Sequence, residues 1–599
     1  VIAGPGAGKT MLLVERAARL HEKGTPLSGI VLVTFTTRAA AEMRHRLQVR
    51  LGMDLDGQAL RSASTIHALA YRILRAAKKS AGDSGWRVAD EREAFDVLRQ
   101  AMTETGAPRE LYSPVEMARQ VETLLNLSGD ADPAADPSVS ATLRRYRQIL
   151  AARRRWDVSE LVPRASETMA RNGEIANLFR GLCLHLMVDE WQDVSLLEYQ
   201  FLKTLLRSDE IFVVGSPAQS IYEWRQAHYK SLAAQFRSDF PNIETIVLDR
   251  NYRSTPQIIA ASSNVLGNGY VEARLAPVRG EGQPVETHIA YDPDAEANLV
   301  VTLLGRFHHE EEMRYQDMAV LFREWRQSAA IEQALSSQRI PYTLGERLKF
   351  YDRPEVHEIV AYLAIARAIA MDRPAEEERG AWLEAVLNVP PRGIGPNSLK
   401  QLRAESPRLT WEHFFAGMVR SDVRSQVQES CRDLFELLVS FSREVETTPP
   451  AQMIERVVDE SGYRAWLDED FAADRRMYAV EALQKDASAY PSVEAFLAAV
   501  KQNMRSPTDG TASDRGVALS SIHGAKGLEW PLVIVIGLYE GSLPHAKERA
   551  GSPSDDPSGE RRLAYVAFSR AAEHLHLTAP RHIEAGGSLV AVSPSRYLQ

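Results

Sequence analysis

Two cysteines in 599 residues, Cys183 and Cys431, are too few for a disulfide framework, and they suit a reducing, cytoplasmic compartment. No apolar run approaches the roughly 18 residues a membrane-spanning helix needs, and no membrane association is expected. The chain opens without a secretory pattern. Its first residue is Val1 rather than methionine, so the numbering is expected to begin inside a longer protein. An excess of positive charge is also lacking: 71 Lys and Arg stand against 80 Asp and Glu, a net charge of −9. That balance argues mildly against a surface coated by nucleic acid, while leaving room for a positive groove in an acidic surface. No repeat of fixed period is visible, and low-complexity sequence is confined to residues 551–559, a flexible loop by composition.

The length exceeds what one core can hold and suggests roughly four domains. The most informative stretch is the first ten residues. Ala3, Gly4, Pro5, Gly6, Ala7, Gly8, Lys9 and Thr10 follow the apolar pair Val1-Ile2 and precede a helical run from Met11. A strand, a glycine-rich loop and a helix start in this order can wrap a polyphosphate with backbone N–H groups at the positive end of the helix dipole. Lys9 supplies a mobile cation for the β- and γ-phosphates, and Thr10 a hydroxyl for Mg²⁺. ATP and Mg²⁺ are the expected cofactors, with no metal beyond Mg²⁺, and an ordinary tight turn is the bland alternative.

Strand, loop and helix recur at residues 29–47 and again at 63–69, which predicts a parallel sheet with helices on both faces. Ligands of such sheets bind at the carboxyl ends of strands, where Phe35, Thr36 and His67 are expected. Phe35 reads equally well as core packing. Residues 75–181 read as a helical insertion. Its basic stretch at 144–156, with Tyr146 and Trp156 interleaved, is either a solvated helix face or a phosphate-tracking surface. The sheet pattern returns at residues 182–188 and ends in Asp189-Glu190. Asp189 can hold Mg²⁺ through water and Glu190 can deprotonate an attacking water, unless the pair is merely an acidic turn. At the exit of the next strand, Gln219 can sense a γ-phosphate, and Tyr222, Trp224 and Arg225 suit stacking on unpaired bases. Arg253 is a candidate arginine finger and Tyr252 a candidate stack for adenine.

With these residues in view, the chain resembles the superfamily 1 DNA helicases of the UvrD/PcrA/Rep type. The ordered motifs are the phosphate loop, then residues 34–46 including Arg38, the Asp-Glu-Trp-Gln-Asp of 189–193, residues 219–225, the Asn-Tyr-Arg-Ser of 251–254, residues 517–530 including His523, and residues 560–571. The resemblance implies an α/β fold with two RecA-like P-loop motor domains, each carrying a mainly helical insertion. The expected boundaries are residues 1–74 with 182–268 for the first motor domain, 75–181 for its insertion, 269–372 with 512–599 for the second, and 373–511 for the accessory insertion. It implies that Arg570 joins Arg253 at the γ-phosphate, that Glu529 holds the ribose, and that Tyr351 contacts single-stranded DNA. It also puts Arg392, Gly393 and Gly395 in a mobile accessory domain that meets duplex DNA. On spacing alone, capping two helices is favoured over a glycine nest that holds a phosphate.

The implied activity is an ATP-dependent helicase moving 3′→5′ on single-stranded DNA, with 3′-tailed duplex as substrate and repair or replication proteins as possible partners. Four departures stand out. Met11 replaces an Arg that packs on adenine, Ser216 replaces an acid of the third motif, and Trp191 replaces Phe. The strand-separating hairpin, expected between the last motif and residue 593, carries no aromatic at 583–589. The alternative that this last departure favours is a translocase that strips proteins from single strands with little unwinding.

Overall fold

The structure is a computed structural model and describes residues 1–52, 63–108, 112–126, 136–207, 210–221, 229–267, 270–344, 350–371, 377–394, 425–468, 473–504, 516–545, 558–585 and 588–598. Two compact units are present, residues 1–324 with 520–599, and residues 325–519.

In the first unit, the strands Ala63–Thr65, Ile30–Thr34, His185–Val188 and Ile211–Val213 pair in parallel in that spatial order. Ile2 bridges Gly215, and Ile2–Ala3 pairs with Val247–Leu248, so the amino-terminal strand continues the sheet. Alternation within the strands sorts side chains to opposite faces. Leu32 and Met187 pack on one side with Leu13, Val14 and Met43. Val33, Leu186 and Val188 pack on the other with Ile66, Ile73 and Phe201. Both faces are covered, as a parallel sheet requires. Trp191, the departure from the expected Phe, is buried there and lies against Phe236 at 4.9 Å between ring centres.

Between residues 89 and 150 the described residues are mainly helical and share a core of Val97, Leu98, Met102, Val121, Leu143 and Ile149. The basic stretch is largely neutralised. Arg145 pairs with Glu104 at 2.5 Å, Arg147 with Glu160, and Arg155 with Glu93 at 2.9 Å. Trp156 is buried and stacks on Trp86, and Tyr146 is buried with its hydroxyl on Asp157, so neither interleaved aromatic is offered to a base.

A second parallel sheet in this unit runs Glu286–Ala290, Ala571–Pro580, Trp530–Val535 and Met318–Phe322. All five residues of Met318–Phe322 are buried, the pattern of a central strand covered on both faces. Beyond its outer strand, His582–Ala585 and Ser588–Ala591 form an antiparallel pair at the expected hairpin.

The second unit is mainly helical. Its central helix Pro354–Ala370 buries Val356, Ile359, Val360, Tyr362, Leu363 and Ile365, so it is covered nearly all round. A buried carboxylate anchors its start. Glu332 accepts hydrogen bonds from the Ser328 hydroxyl (2.8 Å), the Phe350 N–H (3.0 Å) and Arg353 (2.8 Å). Among the described residues, no helix is long and apolar enough to cross a membrane. Because Glu332→Ala strands the Arg353 charge, it is expected to destabilise this unit by about 3–5 kcal/mol, measured by urea unfolding; an effect within about 0.5 kcal/mol would contradict the anchoring role.

Candidate functional site

The glycine-rich loop closes as its sequence requires. Gly6 and Gly8 adopt φ of 68° and 86°, backbone that a residue with a Cβ takes at a cost. Gly8 precedes the helix Lys9–Glu22, so the N–H groups of its first turn face the loop. Gly6 is also a close approach. A Cβ there would lie 2.6 Å from Asn251 Oδ1 and 2.7 Å from Arg253 Cβ. Asn251 donates to the Pro5 carbonyl (3.1 Å), and the Tyr252 N–H donates to the Gly6 carbonyl (2.9 Å). A segment 246 residues downstream is thereby fastened to the loop, and it carries Arg253.

Lys9 Nζ donates to the carbonyls of Ala3 and Gly4, both at 3.1 Å. Burial lowers its pKa, with Glu190 and Asp189 acting against that and Arg570 and Arg253 adding to it. One lysine thus senses two acids and two arginines drawn from three separate parts of the chain. Thr10 is half-buried beside it, while Met11 and Tyr252 are 63% and 59% exposed, open on the rim.

The two acids are divided electrically. Burial, reinforced by the Glu190 charge, pushes Asp189 up to about 7 against the opposing pull of Lys9. Burial also opposes ionisation of Glu190, but Lys526, Lys9, the Gln192 amide and Arg570 outweigh it and hold Glu190 below the usual carboxylate range. Burial and charge thus push these neighbouring carboxyls in opposite directions, Asp189 up and Glu190 down. Glu190 sits at φ 48°, a strained backbone for a residue with a side chain, and accepts from Gln192 Nε2 at 2.5 Å. Asp189 Oδ1, Gln219 Nε2 and Arg253 Nε are buried without hydrogen-bond partners, three polar atoms that a polyphosphate and its cation would satisfy. An oxygen-donor pair such as Asp189 and the Thr10 hydroxyl suits a hard cation, and the raised Asp189 marks a spot short of positive charge.

Arg570 is buried at the end of the helix Ser558–Phe568, donating to the carbonyls of Val566 (3.0 Å) and Leu528 (3.2 Å). Arg253 donates to the Ser569 carbonyl at 3.0 Å and pairs with the Glu529 carboxylate. Glu529, expected at the ribose, is therefore engaged with the finger itself.

Sequence reasoning passed over the residues that hold this arrangement. Lys526 bridges Asp193 (2.5 Å) and the Gln219 carbonyl (2.6 Å). Glu272 compensates for Ser216. Its Oε1 accepts from the Ser216 hydroxyl at 2.9 Å and from the Ala218 N–H at 3.1 Å, so a carboxylate from a distant turn reaches the third motif. The adjoining mismatch with the expected acid was the available signal. Arg562 donates to the Ser220 carbonyl at 2.6 Å and secures the same loop.

Of the residues expected at DNA, Phe35, Thr36, Arg38 and His67 gather at the carboxyl ends of the neighbouring strands Ile30–Thr34 and Ala63–Thr65. Thr36 and Arg38 are exposed, and Phe35 and His67 are half-buried. The Thr36 hydroxyl caps its helix by accepting the Ala39 N–H at 3.1 Å. His523 is pushed down to about 4, by burial and then by Arg323 and Lys526, so it is a neutral hydrogen-bonding ring rather than a cation. Two expectations need correction. Tyr351 is buried, its hydroxyl donating to Asp486 at 3.0 Å, so its ring is core rather than a base stack. Arg392 spends its guanidinium on the carbonyls of Val386 (2.8 Å) and Pro390 (3.2 Å) and on Tyr362, and the N–H groups of Arg392 and Ile394 are taken by Asn388. Gly393, at φ 72°, turns this closed loop. Gly395, Tyr222, Trp224 and Arg225 lie outside the described residues.

A phosphate loop on a parallel sheet, an acid pair at the next strand's end and two arginines brought to the same lysine define a P-loop nucleotide-driven motor. The UvrD/REP helicase N-terminal domain model matches residues 1–241, and the UvrD-like helicase C-terminal domain model matches residues 246–505 and 434–582. The chain belongs to the UvrD/REP helicase family. It is 27% identical over 623 aligned positions to the ATP-dependent DNA helicase PcrA of Staphylococcus aureus, covering 100% of this chain and 83% of the relative. The PcrA of Staphylococcus epidermidis matches to the same extent.

Removing the Glu272 carboxylate by Glu272→Ala leaves the buried Ser216 hydroxyl and Ala218 N–H unsatisfied, an expected loss of about 1–3 kcal/mol for each group on chemical unfolding. Glu272→Gln keeps an acceptor and is expected to cost clearly less; equal losses would argue against this role.

Proposed function

We propose that this chain is an ATP-driven DNA helicase that moves 3′→5′ along single-stranded DNA and opens duplexes bearing a 3′ tail. The observation that carries this reading is the convergence on one phosphate loop of Lys9, Asp189 and Glu190 with Arg253 and Arg570, which are hundreds of residues away in sequence. A plain nucleotide switch needs the loop; fast hydrolysis also needs the base and the two cations.

Lys9 leaves the Ala3 and Gly4 carbonyls for the β- and γ-phosphates. Thr10 and Asp189 would hold Mg²⁺, which when bound neutralises charge on the phosphate oxygens. Glu190 orients the attacking water and takes its proton, while Gln219 reports the γ-phosphate to the loop that follows it. Arg253 exchanges the Glu529 carboxylate for phosphate, which frees Glu529 to reach the ribose. Adenine lies between the exposed Met11 and Tyr252, with looser selection than an arginine stack gives. Phe35, Thr36, Arg38, His67 and His523, with Tyr222, Trp224 and Arg225, form the path for the single strand. The four-part domain division given above is the frame of this reading, and a cytoplasmic place and repair or replication partners go with it.

Unwinding is favoured over bare translocation by an aromatic that the hairpin itself lacks. Tyr291 is 59% exposed and packs on His582 at the hairpin's foot (4.7 Å between ring centres), and Leu589 and Val590 are exposed on the return strand.

Glu190→Gln is expected to lower single-strand-stimulated ATP hydrolysis by about 10²-fold or more while ATP still binds; unchanged hydrolysis would remove Glu190 as the base. Tyr291→Ala is expected to slow unwinding of a 3′-tailed duplex several-fold at an unaltered ATPase rate. Strong DNA stimulation with no unwinding by the unmodified chain would favour the protein-stripping translocase instead.

A further inference from the structure

On the outer ladder of the second sheet, away from the phosphate loop, Glu286 and His576 are direct partners across the parallel strands, and His288 lies two residues on along the same face. Their ligand atoms converge. His288 Nε2 is 3.1 Å from His576 Nδ1 and 3.4 Å from Glu286 Oε2, and the third side, His576 Nδ1 to Glu286 Oε2, is 3.7 Å. The edge of a tetrahedron with bonds of about 2.0–2.1 Å is about 3.3–3.4 Å, so the triangle already has the size of one face of a tetrahedral metal site. Hydrogen bonding explains it less well. One N–H from His288 can serve one or two of these lone pairs, whereas a cation serves all three.

We propose that Glu286, His288 and His576 bind one transition-metal ion, Zn²⁺ in type, and tie the edge strand Glu286–Ala290 to Ala571–Pro580. Two imidazoles and a carboxylate with a fourth position open to water are a donor set that zinc accepts without strain. His576 is buried and Phe307 lies against its ring at 5.4 Å, a wall that keeps the site partly dry. The charged groups facing the cluster are Arg306 from the helix Pro293–Glu310, which opposes a cation, and His574 with its partner Glu311 at 3.5 Å, which adds a nearby carboxylate. Glu286 is half exposed and gives an entry path. The strand that would be clamped begins directly after Arg570, so the ion would stiffen the support of that arginine.

The test uses the whole chain stripped with a chelator, then titrated with Zn²⁺ in excess Mg²⁺. The expected result is one Zn²⁺ per chain by elemental analysis, tetrahedral d–d bands with Co²⁺, and a higher unfolding temperature with Zn²⁺ than with chelator. His288→Ala and, separately, Glu286→Gln are expected to weaken Zn²⁺ binding by at least about tenfold, the smallest loss seen even for outer partners of metal ligands. Their unfolding temperatures in chelator should match the unmodified chain. No stoichiometric Zn²⁺ in the unmodified chain, or equal binding in both variants, would overturn the proposal.

Discussion

The structure depends on the seal between residues 251–253 and the phosphate loop. Asn251 spends its amide on Pro5 and its carbonyl oxygen on the N–H groups of Arg253 and Ser254, while the missing side chain at Gly6 lets the two backbones touch. The seal fixes Arg253. Ser254 then donates to the Ala571 carbonyl at 2.7 Å, and Arg253 reaches the Ser569 carbonyl, so the same short segment also holds the second sheet's arginine turn. Loosening Gly6 or Asn251 would separate the arginines from the lysine they must work with.

Charge supplies the second constraint. Lys9, Arg253 and Arg570 are all buried enough that their charged forms are disfavoured, and each is lowered from its ordinary range. They are kept tolerable by Glu190, Asp189 and Glu529. Such a cluster is costly as a stability element. It is well placed for an anionic ligand, because polyphosphate supplies the negative charge that the arginines now borrow from Glu529. In the proposed reading, exchange of carboxylate for phosphate would be a local two-state event of the kind that drives larger motions.

Much of this was legible beforehand. The glycine loop, the acid pair after an apolar strand and the strand–helix alternation are local patterns with local physical causes, so they read directly from residues. What misled was burial. Tyr351 and Arg392 carry the right chemistry for a nucleic-acid surface, but a tyrosine ring and an arginine stem are equally good packing material. Only the neighbours Asp486, Val386 and Tyr362 tell which use is made of them. The arginines at 144–155 were open to two readings for a similar reason: Glu104, Glu160 and Glu93 come from other helices, and the sequence does not say which carboxylates will face which arginines.

By itself, the sequence determined the class of chemistry, because phosphate binding by backbone N–H groups, a lysine and a hydroxyl demands a fixed order within ten residues. It also determined the parallel sheets, whose strands must be apolar on both faces. The tertiary structure alone decided the partners over long separations: Glu272 standing in for the acid missing at Ser216, Lys526 reaching Asp193, Tyr291 arriving at the hairpin, and the triangle of Glu286, His288 and His576. Each of these is a matter of a few side-chain atoms or rings meeting across a long sequence separation, and local pattern does not encode which distant groups meet; chain topology and packing do.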